Sequence, residues 1–129
     1  MAGHTMSKAA RSEAMFIMVA SEEEWEIAKP FHHSQGYDFV IRRSKSRIWE
    51  TVQVKSAFAG YRGRKKLPAR AISLRRCNEK GSRPYLAGEY DLLFAVDGDS
   101  CWLISWAIIE SIRSQILIDS TKYSRFQIR

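Results

Sequence analysis

The stretch DLLFAVDGDSCWLISWAII, residues 91–109, limits the possible folds more than any other part of the chain. Residues 91–96 and 101–109 are short, almost wholly apolar runs on either side of the turn-forming DGDS, 97–100, and read as two β-strands. Strands without polar alternation are buried on both faces, so layers must cover this part of the sheet from two sides. A membrane-spanning helix is excluded, because the longest apolar run, 102–109, contains Ser105 and is far shorter than the ~20 residues needed.

The remaining segments supply those layers. Ser7 can cap a helix running to about Ala20, with Ala9, Glu13, Phe16, Ile17 and Ala20 on one stripe at helical spacing. A short strand at 25–29 ends at Pro30, and a polar connection, FHHSQG, follows. Residues 37–42 and 48–58 are rich in β-branched and aromatic residues and predict two neighbouring strands joined by a tight basic turn. AGYRGRKKLP, with Gly60, Gly63 and Pro68 around its cations, predicts an exposed, mobile loop. Residues 69–77 alternate like a half-buried strand, NEKGSRPYLAGEY predicts a further loop, and 110–129 a short helix and an edge strand. One helix and about six strands imply an α/β or α+β architecture, a mixed sheet with the N-terminal helix packed on it. At 129 residues the chain fits a single domain, 1–129, with 1–6 as a flexible tail.

The apolar run 14–20 is preceded by Glu13 and leads through Ser21 into three consecutive glutamates, 22–24, which predicts a mature helix and not a signal peptide. Cys77 and Cys101 are too far apart for a paired metal motif and lack nearby histidines, so the reading is two buried free thiols in a reducing, cytoplasmic setting.

Charge distribution narrows the function. The formal charge is +7, and residues 42 to 83 are more basic than the chain as a whole, with fourteen basic residues against only Glu50 and Glu79. Such a concentration fits a polyanionic partner; a membrane surface is disfavoured because no amphipathic helix carries these charges.

Residues two apart in a strand share a face, so Gln53 and Lys55 project together while Val52 and Val54 point to the opposite layer. If 37–42 pairs beside this strand, Asp38 comes near both, and the overlying helix can bring Glu13 to the same edge. Two carboxylates and an amide oxygen suit a hard divalent cation, and a lysine beside them can orient or help deprotonate water. That combination suits phosphodiester hydrolysis, with the basic surround holding the phosphate chain. His32 and His33 lie in the preceding loop and read as solvated.

A helical Glu, an Asp and then Gln-x-Lys resemble the PD-(D/E)XK nuclease superfamily, and the "QVK" form is most similar to its branch of intron-associated, cyanobacterial-type homing endonucleases. KPFHHSQGYDFV, TVQVKSA, AISLRRC, GEYDLLFAVDGDSCWLISWAII and ILIDSTKYSRFQI resemble successive segments of that branch. The resemblance implies a restriction-endonuclease-like sheet and a DNA endonuclease using magnesium, with manganese as a substitute. Asp38, Gln53 and the Val54 carbonyl would bind the metal, Glu13 would complete the site, and Lys55 would position or activate water. Arg42, Arg43, Lys45, Arg47, Arg62, Arg64, Lys65, Lys66, Arg75 and Arg76 would contact double-stranded DNA. Cutting both strands implies a homodimer or homotetramer. Asp91 looks like a recurrent residue of the branch with a supporting role. Gln53 stands where Glu is commoner, and 103–106 lacks a proline often present there. Two other readings are a Holliday-junction resolvase and an inactive DNA-binding module on the same scaffold.

Overall fold

A computed structural model describes residues 6–32 and 36–129, apart from the side chain at 78. Helix α1 (Lys8–Glu22) is followed by strands β1 (Glu26–Ala28), β2 (Phe39–Arg42) and β3 (Glu50–Ser56). Two hairpins come next, β4 (Phe58–Arg62) with β5 (Leu67–Ser73) and β6 (Arg75–Asn78) with β7 (Gly81–Pro84). The chain ends with β8 (Leu92–Asp97), β9 (Ser100–Ser105), the one-turn helix α2 (Trp106–Ile109), β10 (Gln115–Leu117) and a 3-10 helix (Thr121–Phe126).

The main sheet has the order β1-β2-β3-β8-β9; β3 and β8 run parallel and the other neighbours antiparallel, so it is mixed and the fold is α+β. Both faces of β8 are buried, as its unbroken apolar run predicts. Leu92, Phe94 and Val96 join Phe16 and Val19 of α1, with Val52 and Val54, on one side. Leu93 and Ala95 join Trp102, Ile104, Ile72 and Ile116 on the other. Phe16 anchors the first layer, its ring 4.7 Å from Phe39 and 5.0 Å, edge-on, from Phe94.

Ser7 caps α1 by accepting a hydrogen bond from the Ala10 N–H at 3.1 Å, which satisfies a backbone donor that the first turn leaves without a partner. The inward face is turned from the expected one: Ser12, Phe16, Val19 and Ala20 are buried, whereas Ala9 and Ile17 are exposed. Ser12 meets Ser56 through a 2.6 Å hydroxyl hydrogen bond. A small, satisfied polar pair lets the helix approach the end of β3 and leaves Glu13 half-buried at the rim.

Several expected boundaries shift. The strand expected over 48–58 stops at Ser56; the Ala57 N–H donates to the Val96 carbonyl, and Phe58 begins a strand in another sheet. The segment expected as a mobile loop is the β4–β5 hairpin with a short turn. The strand expected over 69–77 breaks at Leu74, whose N–H bonds to the Ser114 carbonyl, and the loop expected after it contains β7. β9 ends at Ser105 because the Trp106 N–H is taken by the Asp91 carbonyl, and the apolar run continues as α2. Cys101 is buried as expected, but Cys77 is exposed. Among the described residues no helix is long and apolar enough to cross a membrane.

Candidate active site

The β2–β3 register places Phe39 opposite Val52. Asp38 stands immediately before the first of these pairs. Alternation along β3 turns Gln53 and Lys55 away from the layer that holds Phe39, Val52 and Val54, and Asp38 lines a cleft with them. Asp38 also ends the ladder: its N–H donates to the Val52 carbonyl at 2.8 Å, and its Oδ2 accepts from the Val54 N–H at 2.9 Å, where the next residue of a longer strand would have supplied a carbonyl.

Glu13, Asp38, Gln53, Val54 and Lys55 line one open cleft, with Ala9, Ser12 and Ser56 closing one side. The cleft has a volume of roughly 330 Å³, and a smaller one lined by Glu13, Lys29, Pro30, Tyr37 and Asp38 adjoins it. The residues expected to converge therefore do converge, from α1, the start of β2 and the end of β3. The Gln53 amide Nε2 donates to the Val54 carbonyl at 3.3 Å.

Charge is under tension here. Burial raises the Asp38 carboxyl above its usual range; the Val54 N–H bond opposes that, the Glu13 carboxylate adds to it, and Lys55 and Lys29 pull it back. Burial lowers the Lys55 ammonium, against weaker opposition from Cys77 and Asp38. Lys55 Nζ donates to the Arg75 carbonyl at 3.0 Å and lies 5.2 Å from the centre of the Tyr85 ring. Tyr85 is fixed edge-on to Tyr90, whose ring meets Trp106 in the same way. Burial, reinforced by Asp38, pushes the Tyr85 phenol up to about 12, so it stays protonated.

The donor set fits magnesium. Two carboxylates, an amide oxygen and a backbone carbonyl are all hard oxygens, and a dication would relieve the strain that raises Asp38. Among the described residues no group of three or more His, Cys, Asp or Glu side chains is placed to hold a metal ion. His32 is exposed, its ring 5.7 Å from that of Phe31, and it is not among the residues that line the cleft; His33 lies outside the described residues.

Asp91 lies apart from the cleft and supports the sheet. Its Oδ2 accepts from the Thr51 N–H at 2.9 Å and the Thr51 hydroxyl at 3.2 Å, which clamps β8 to β3. Lys29, Tyr85 and the Ser12–Ser56 pair were not read from the sequence. Lys29 falls opposite Phe39 when the β1–β2 register is extended, and its Nζ lies 5.3 Å from that ring; a register of that kind is the signal that finds it. Tyr85 has no local signal, because its place over Lys55 depends on the second hairpin.

The cations expected to meet DNA divide into two groups. Arg42 pairs with Glu26, Arg43 with Glu50 through both carboxylate oxygens, Arg62 with Asp119 and Arg76 with Glu89, while Arg75 bonds Ser82. Lys45, Arg47, Arg64, Lys65 and Lys66 make no ion pair among the described residues.

No family model and no curated protein matches the chain. The fold does match that of a bacterial homing endonuclease, I-Ssp6803I, with a TM-score of 0.69 and 24% sequence identity, over 95% of this chain and 84% of that one. At that identity the likeness is one of fold: this chain shares the mixed α+β architecture of a bacterial homing endonuclease.

Proposed function

We propose that the chain is a magnesium-dependent endodeoxyribonuclease of the PD-(D/E)XK kind, hydrolysing phosphodiester bonds in duplex DNA in the manner of the homing endonucleases. The observation that carries this reading is the meeting of Glu13, Asp38, Gln53, the Val54 carbonyl and Lys55 in one cleft. A fold shared with a bacterial homing endonuclease supports it.

Asp38, the Gln53 amide oxygen, the Val54 carbonyl and Glu13 would hold the ion, Asp38 and Glu13 bringing the negative charge. When bound, magnesium supplies electrostatic stabilisation of a phosphate that gains charge and favours a hydroxide-like nucleophile near neutral pH. Lys55 does the rest from its side of the cleft. Anchored on the Arg75 carbonyl, its ammonium orients a water and faces the phosphate oxygens; because burial lowers its proton affinity, its neutral form is also more accessible as an acceptor. Lys45, Arg47, Arg64, Lys65 and Lys66, free of internal ion pairs among the described residues, are available to duplex DNA, Lys45 and Arg47 to its backbone phosphates. Since each cleft cuts one strand, a double-strand break uses two copies, in a homodimer or homotetramer.

Purified chain is expected to nick or linearise plasmid DNA in magnesium. Lys55→Ala and Asp38→Ala should lose cutting while still retarding duplex DNA in a gel. Equal residual activity in all three proteins would assign the cutting to a contaminant and remove the proposed site. A four-way junction cut in preference to a linear duplex would move the reading to a resolvase.

A further inference from the structure

The end of the β4–β5 hairpin carries side chains that neither the core nor the cleft uses. β10 pairs with β5 only over Ala71, Ile72 and Ser73, and one more backbone bond, from Ile118 to Arg70, ends the support. Beyond it the chain is a two-stranded ribbon in which Tyr61 faces Pro68, Arg62 faces Leu67, and residues 63–66 reverse direction. Gly63 and Lys66 take positive φ, 72° and 51°, to make the turn. Over 61–68 every residue is exposed except the half-buried Arg62, which pairs with Asp119.

Two features of this tip conflict with plain solvation. Tyr61 is 67% exposed and Leu67 56%, on a bare ribbon whose edges invite association. Beside them stand Arg64, Lys65 and Lys66 without ion pairs among the described residues. Three adjacent cations disfavour a second copy of the same surface and favour a polyanion that also offers flat apolar edges. Duplex DNA has both properties, and its major groove, ~12 Å wide, admits a two-stranded ribbon.

We propose that the β4–β5 ribbon enters the major groove and reads base edges through Tyr61, Arg64 and Lys65, so that the sequence preference of the chain resides there. The proposal rests on the duplex-DNA reading of the cleft and adds a place for specificity. It also sets a distance. Arg64 lies nine residues after Lys55. At ~3.3 Å per residue it reaches at most ~30 Å from the cleft, so the bases it reads lie within about nine base-pair steps of the cut.

The test selects bound sequences from a randomised duplex pool with the full-length Lys55→Ala chain, then repeats the selection with Arg64→Ala, Lys65→Ala and Tyr61→Ala added singly. Plasmid cleavage by the intact chain is measured alongside. The expected result is an enriched motif in which each ribbon substitution relaxes one or two positions and costs roughly 5- to 150-fold in affinity for the preferred sequence, with little change for other sequences. Uniform weakening on every sequence, with a shallower salt dependence, would make the ribbon a phosphate contact and overturn the proposal while cleavage stands. Absence of any enriched motif would overturn it too. A motif lost with the ribbon in a chain that never cuts would keep the ribbon's role and remove the nuclease.

Discussion

Asp38 and Glu89 are both poorly exposed carboxylates beside cations, yet the fold treats them in opposite ways. Glu89 is saturated: its oxygens accept from Arg83 at 2.6 and 3.2 Å, from Arg76 at 2.6 Å and from the Leu86 N–H at 2.8 Å. The Arg83 bond first, then the Leu86 and Arg76 bonds, hold it down to about 2 despite burial. Asp38 accepts one side-chain hydrogen bond among the described residues, from Val54, and burial with a neighbouring Glu13 raises it. A carboxylate whose lone pairs are all engaged is a rivet. One that is buried, raised and open toward a cleft keeps lone pairs free for a cation, which is the role proposed for Asp38. The two are linked in space, since Tyr85, whose ring lies beside Lys55, is raised by both.

The sharpest way to break the contrast is Asp38→Asn. The amide oxygen keeps an acceptor for the Val54 N–H but removes the charge, so cleavage should fall by on the order of 1000-fold or more. Chelating the magnesium should act as strongly and leave duplex retardation in place. The same substitution should raise the thermal midpoint at neutral pH by a few degrees, because the folded state no longer holds a charge against burial. A variant that loses activity and stability together would mark Asp38 as a structural residue.

Glu89→Gln should do the reverse. Losing the charge that Arg76 and Arg83 share is expected to cost about 1–2 kcal/mol and several degrees in melting, with cleavage reduced less than tenfold. Loss of cutting as deep as that of Asp38→Asn, at an unchanged melting point, would place Glu89 in the site and erase the distinction.

These two regions differed just as much in how far the sequence revealed them. The cleft was legible because its parts obey short-range rules: strand alternation puts Gln53 with Lys55, and antiparallel pairing of adjacent segments brings Asp38, just before β2, beside them. The Glu89 hub was not, because its arginines lie six and thirteen residues away on a hairpin hidden in what reads as loop. The same limit distorted the charge map. Between 42 and 83 the cations look almost unopposed, yet Glu26, Asp97, Asp119 and Glu89 arrive from outside that segment to pair with Arg42, Arg70, Arg62 and both Arg76 and Arg83. Helix α1 was misjudged by about one position, because Ser12, polar by composition, is buried by its bond to Ser56.

The smallest effect separates the two carboxylates by pH alone, through melting curves of the parent chain, Asp38→Asn and Glu89→Gln at neutral pH, near 4.5 and near 3. For Glu89 the folded value, about 2, lies below its ordinary 4.5. Its stabilisation is therefore complete above 4.5 and fades as pH falls toward 2, so the deficit of Glu89→Gln should be nearly whole near 4.5 and smaller near 3. For Asp38 the folded value lies above its ordinary 3.8. Its ionisation then costs stability as pH rises from 3.8 through that raised value, so the gain of Asp38→Asn should be full at neutral pH, shrink as pH falls through the raised value and be nearly absent near 3. These pH-dependent parts are no larger than the few degrees each substitution produces at neutral pH, but they have opposite signs, and the Glu89 window extends below that of Asp38. A gain in Asp38→Asn that persists unchanged near 3 would trace to packing around the amide, and the account of Asp38 as a charge held open for an ion would fail with it.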